Sequence, residues 1–178
     1  MEHPHGGFQA FHGFFPDREK WYVPGDGNTP LTVTSKVDIG RSIVELIKMA
    51  IVNPDQVPSR IRLAGTNKTP REIVKIFNDA ANGSTHIELI LLSDDEAKTF
   101  MNKDNMKPPP GLPKEFDLNL IYDVATRVFR MAASGGNLDF SEKNDNELVN
   151  PKESRWKWKT IEEYAREVKG MPREDVYT

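Results

Sequence analysis

An α/β fold is the class this sequence predicts, and three observations predict it. Short alternating apolar segments recur, each followed within a few residues by a segment of helical period. The helical segments open on side chains suited to capping free backbone N–H groups. A nearly continuous aliphatic run, His86 to Leu92, reads as a strand covered on both faces.

The stretch Leu31–Val52 organises the rest. Leu31, Val33 and Ser35 alternate with Thr32, Thr34 and Lys36, the period of a half-buried strand. Asp38 is expected to act as N-cap of the helix that follows. Ile39, Ile43, Leu46, Ile47, Ala50 and Ile51 then form one apolar stripe, with Arg41, Glu45 and Lys48 on other faces. Asn53-Pro54 ends the helix, since the residue before proline is disfavoured in the α region. Upstream, Trp21-Tyr22-Val23 and Leu31–Ser35 flank Pro24-Gly25-Asp26-Gly27-Asn28, where a hairpin-like connection is expected and the glycines supply positive φ.

Downstream, Arg60–Gly65 reads as a short strand. Thr69, Pro70 and Glu72 form a full helix-start signature, with Ile73, Ile76, Phe77, Ala80 and Ala81 as the apolar face and Asn82-Gly83 as the stop. Ser93 and Glu96 make a second capping box ahead of a short helix. Asn102–Pro113, with four prolines, is a stiff extended loop. A long helix is expected from Glu115 to Ser134, carrying Leu120, Ile121, Val124, Val128, Phe129 and Ala132 on one side. Tyr122, off that stripe, reads as an acid–base group or a surface phenol. The polar interval 137–154 reads as a surface loop held by Leu138, Phe140 and Leu148. Trp156 and Trp158 then cover the core edge before a third capping box, Thr160 and Glu163, opens the last helix.

Composition narrows the function. The chain has 178 residues, a net charge of −3 and no cysteine. That acidic balance gives no reason to expect nucleic acid or an anionic membrane as partner, and the absence of cysteine excludes disulfides, thiolate metal sites and a cysteine nucleophile. No apolar run approaches the ~20 residues that span a bilayer, and the first residues lack an apolar signal-peptide core, so a cytoplasmic location is expected. His3 and His5 have no further ligand nearby, so residues 1–13 read as a leader rather than a metal site. Residues 14–170 read as one α/β domain and 171–178 as a tail.

The order of four segments resembles the NmrA-like, isoflavone-reductase-like branch of the short-chain dehydrogenases. They are Gly25-Asp26-Gly27-Asn28 leading through a strand to Val37-Asp38-Ile39-Gly40-Arg41, then Arg62–Gly65, then Thr69–Val74, then Thr160–Ala165. The likeness runs from about Phe14 to Val168 and resembles the C-terminal, substrate-side part of that Rossmann-type NAD(P)-binding fold, with the dinucleotide-binding half absent. It implies a substrate pocket at Phe14 and Phe15, with His12 adjacent; the same phenylalanines also read as core. It implies NADP(H) as cofactor of a complete member, although this chain alone is not expected to bind it.

No G-x-G-x-x-G follows a strand, and neither a P-loop, an H-E-x-x-H nor a G-x-S-x-G is present. Tyr22, Tyr122 and Tyr164 lack a lysine four residues on, so the Tyr-x-x-x-Lys pair of short-chain dehydrogenases is missing. The lysine used by the reductase branch falls before Phe14. No catalytic, cofactor-binding or metal-ligating residue is therefore assigned. Three functions remain open. One is the substrate-side part of an NADPH-dependent reductase, truncated and inactive alone. Another is a non-enzymatic redox-sensing regulator that binds a protein partner, and the third is a freestanding binding domain. Partners are expected to be a small-molecule substrate or a protein, with self-association through an exposed sheet edge if the other half is missing.

Overall fold

The computed structural model describes residues 20–100 and 136–171. Strands β1 (Lys20–Pro24) and β2 (Leu31–Val33) precede helix α1 (Lys36–Val52) and a 3₁₀ turn at Pro54–Gln56. Strand β3 (Thr66–Lys68), helix α2 (Pro70–Ala81), strand β4 (Glu88–Leu92) and helix α3 (Asp94–Phe100) follow. Beyond residue 136 come α4 (Asn146–Val149), a 3₁₀ turn at Pro151–Glu153 and α5 (Ile161–Glu167). The architecture is mixed α/β with a small parallel pair. β1 lies parallel to β4, Trp21 opposite Leu89, and β2 lies antiparallel to β3, Thr32 opposite Asn67.

The expected hairpin between β1 and β2 does not form, because the two strands belong to different sheets. Gly25 and Gly27 do take positive φ, 83° and 72°. The turn they make lies against β4 and α2 rather than folding back along β1. Gly25 N donates to Leu92 O, prolonging the β1–β4 pairing, and Gly27 O accepts from Arg71 N.

The core forms where α2 and α5 pack together beside β1. Trp21 and Val23 of β1, Ile73, Val74 and Phe77 of α2, Ile87, and Ala165 and Val168 of and after α5 are buried together. Both helices are opened by complete capping boxes, Thr69 with Glu72 and Thr160 with Glu163, as the spacing predicts. α2 ends at Asn82 in the left-handed region, followed by Gly83 at φ 79°. Gly170 follows α5 with φ 74°, so close to α2 that a β-carbon there would lie 2.4 Å from Phe77 O and from Ala81 Cβ. Ser93 and Glu96 cap α3 as expected.

Several expectations are corrected. Ser35, not Asp38, is the N-cap of α1: its Oγ accepts from Asp38 N, and Asp38 sits three positions on as the acidic partner. The apolar stripe of α1 faces outward, with Ile43, Ile47 and Ile51 50%, 54% and 79% exposed. Its inward side is polar: Asp38 and Ser42 are fully buried, and Glu45 is largely covered. Residues 61–64 form no strand. Their backbone pairs instead with Asp145 and Asn146, whose side chains accept from Arg62 N and Ala64 N, and the strand starts at Thr66. β4 is not fully covered on either face: Glu88 and Leu91, which point to opposite sides of the strand, are exposed, and Leu92 alone within it is buried.

Interval 137–154 is more than a surface loop. Val149 and Asn150 are among the most buried residues described. Asn150 accepts from Arg155 N and donates to Trp156 O, spanning a turn in which Lys152 and Glu153 take positive φ. The 102–113 loop, the 115–134 helix with Tyr122, the leader and the tail beyond Met171 lie outside the described residues.

Candidate binding cleft

Asp38 ties two distant segments together. Its Oδ2 accepts from Ser35 Oγ at 2.7 Å and from Lys159 N at 2.8 Å, while Oδ1 accepts from Arg41 Nη1 at 3.2 Å. The residue is fully buried, so the carboxylate meets protein donors in place of water. Ser42 Oγ donates to Asp38 O one turn on. Helix α1 is therefore anchored by its polar side to the strand-like approach to α5. A second anchor joins Glu45 to Arg155, Nη1 to Oε2 2.7 Å apart. The hydrogen bond from Lys48 and then the Arg155 charge hold the Glu45 carboxyl below its ordinary value of 4.5.

Between these anchored segments opens a cleft of about 560 Å³. Val33, Val37, Ile161 and Tyr164 supply apolar wall, and Lys36 and Lys159 supply its charged groups. Lys159 Nζ lies 5.8 Å from the centre of the Tyr164 ring and pairs with exposed Glu167. Tyr164 in turn meets Phe77 edge-on at 6.0 Å, which fixes that wall to the core. Volume and lining suit a small, largely apolar molecule. No nucleophile–base pair meets here, and among the described residues no group of three side chains is placed to hold a metal ion.

Of the residues the sequence pointed to, His12, Phe14 and Phe15 lie outside the described residues. The cleft residues Lys36 and Lys159 and the tie at Asp38 were not foreseen. Ser35-x-x-Asp38 is itself a capping-box spacing that marks this helix start.

The described residues do not fit NADP(H). The one glycine-rich turn near a strand end, Gly25–Gly27, leads to β2 and not to a helix N-terminus. The space beside Gly27 is taken by Leu91, Leu89 and Arg71 side chains, leaving no cradle for a pyrophosphate. No described helix is long and apolar enough to cross a membrane.

No protein-family model matches the sequence, and no curated protein matches it either. Among solved structures, the crystal structure of NmrA, a negative transcriptional regulator, is similar at 19% identity with a TM-score of 0.49. The alignment covers 87% of this chain and 44% of that one, so the chain spans less than half of that protein's length.

Proposed function

We propose that this chain is the substrate-side part of an NmrA-like NAD(P)-binding protein, an NADPH-dependent reductase once a dinucleotide-binding half covers α1. The observation that carries the reading is the orientation of α1. Five turns of helix present Val37, Ile43, Val44, Ile47, Ile51 and Val52 to solvent while an acid and a serine are buried behind them. Leaving that much aliphatic surface in water is costly, at roughly 25 cal/mol per Å², and continuous exposed patches of this kind mark contact surfaces. The order of the four family-like segments supports the identity of the covering half, and the cleft beside α1 offers the substrate a wall. The dinucleotide would be held by the covering half, since the described residues have no place for it.

The same surface favours a second reading, a redox-sensing regulator in which α1 contacts a protein partner. Fingerprint glycines with a proton-donating lysine in the covering half favour reduction; glycines without one favour the sensor.

Three measurements test the proposal. Native protein detected in its source cells through residues 38–52 is expected to be heavier than 20.2 kDa by a whole domain. Carbene footprinting of that native protein is expected to find Ile43, Ile47 and Ile51 protected, and the isolated chain to find them labelled. A native mass of 20.2 kDa with those residues labelled overturns the reading. So does saturable micromolar NADPH binding by the isolated chain.

A further inference from the structure

We infer that the element covering α1 is another helix, laid across it with its closest approach at Gly40. The inference rests on the docking reading and adds to it the kind of element that docks and the point where it touches.

Gly40 lies inside α1 and is exposed. Glycine is the least favourable residue for a helix interior after proline. Nothing among the described residues calls for it. Its φ is not positive, and a β-carbon there would meet no neighbour within 4 Å. Gly65 and Gly170 differ, since a β-carbon at either would run into backbone of another segment. What Gly40 does is open the outer surface. Ile43, Val44, Ile47 and Ile51 follow it at i+3, i+4, i+7 and i+11, which puts it on the exposed apolar face. A bare Cα among large aliphatic side chains leaves a hollow floored by backbone, where a second backbone can come close.

The relief of that face suits a helix. Ile39, Ile43, Ile47 and Ile51 run along a single i±4 row, the ridge that seats in a groove of a crossing helix. Helix axes then lie about 8–10 Å apart according to the side chains at the crossing, and a glycine sets the near end of that range. The chain makes one such contact already. α5 covers the apolar face of α2, and Gly170 lets the chain after α5 lie against Phe77 and Ala81.

Size argues against a second copy as the occupant. The face of α1 is roughly 25 Å by 10 Å, a footprint of about 250 Å². A stable interface buries about 800 Å² per partner, so two copies joined at α1 alone fall short. The crossing helix therefore belongs to a body that reaches further. Val37 carries the apolar surface past the start of α1 to Val33, Ile161 and Tyr164, where such a body finds more to cover. The dinucleotide-binding half proposed above is that body.

The test places Gly40→Ala and Gly40→Leu in the isolated 178-residue chain and in the native protein. In the isolated chain Gly40→Ala should raise the melting temperature by about 2–4 °C, because helix propensity improves and no contact is lost. A fall would assign the glycine to this chain's own packing and overturn the inference. In the native protein, carbene footprinting is expected to find Ile43 and Ile47 protected. Gly40→Leu should return their labelling to the level of the isolated chain, and Gly40→Ala should do so in part. Residues of the covering half unmasked at the same time should recur three and four apart, whereas alternation by two would mean a strand and would sink the helix. Protection unchanged in Gly40→Leu would remove the crossing at Gly40 and leave the docking reading standing. Labelled Ile43 and Ile47 in the unaltered native protein would end both. Protection already present in the isolated chain overturns the assignment too: lost on dilution it names a second copy, and kept on dilution it names a segment of this chain.

Discussion

Helices α1 and α2 begin alike and end up in opposite relations to the protein. Each opens on a hydroxyl cap with an acidic residue three positions on, Ser35 with Asp38 and Thr69 with Glu72. Each has an apolar stripe of helical period. In α2 that stripe is buried, with Ile73 and Phe77 4% and 3% exposed against β1 and α5. In α1 the polar side is held inward by Asp38, Ser42 and Glu45, and the isoleucines face water. An amphipathic pattern thus identifies a face needing cover but says nothing about where the cover comes from.

Removing the apolar side chains one at a time should separate the two helices most clearly. Phe77→Ala should lower the unfolding free energy of the isolated chain by about 4 kcal/mol, read by urea denaturation, whereas Ile47→Ala should change it by less than about 0.5 kcal/mol. Equal losses would mean that α1 is covered in solution. Asp38→Ala tests whether polar ties hold α1, and should cost about 3 kcal/mol because Lys159 N–H and Ser35 lose a buried acceptor. Asp38→Asn, which keeps an acceptor oxygen, should recover part of it.

Thr69→Ala should cost about 1 kcal/mol, seen as a lower melting temperature, because α2 then rests on packing without its cap. The smallest effect is read in acid, where each helix has a carboxylate held low, Glu72 by its bonds from Thr69 in α2 and Glu45 in α1. Glu45 is held below its ordinary 4.5 by Lys48 and Arg155, so its contribution is fully present above pH 4.5 and lost as pH falls through the lowered value. Glu45→Gln should flatten that acid limb in denaturation curves. An unchanged limb would remove Glu45 from the anchoring of α1.

What was legible in the sequence was local. Three capping boxes, the stop at Asn82-Gly83 and the end of α1 before Asn53-Pro54 lie within a few residues of the bonds that make them. What was hidden depends on chain far away. β1 pairs with β4 and not with its neighbour, and residues 62–64 bond to Asp145 and Asn146 where periodicity alone reads a strand. Asn150 looks like one more polar residue in a polar interval, yet its buried amide organises the turn before Trp156. The cleft was invisible for the same reason, since its two walls are tied by bonds between residues far apart in the chain, Lys159 N to Asp38 and Arg155 to Glu45.

The late position of α5 has a consequence for how the protein is born. Ala165 and Val168, 0% and 7% exposed, close the side of α2 that holds Phe77. About 80 residues separate the end of α2 from the start of α5, which at about 5–20 residues per second takes on the order of 4 to 16 s to synthesise. Throughout that interval the nascent chain carries α2 without its lid. Its folding therefore waits on translation, and each growing chain offers chaperones a bare aromatic face for seconds before it can bury its own core.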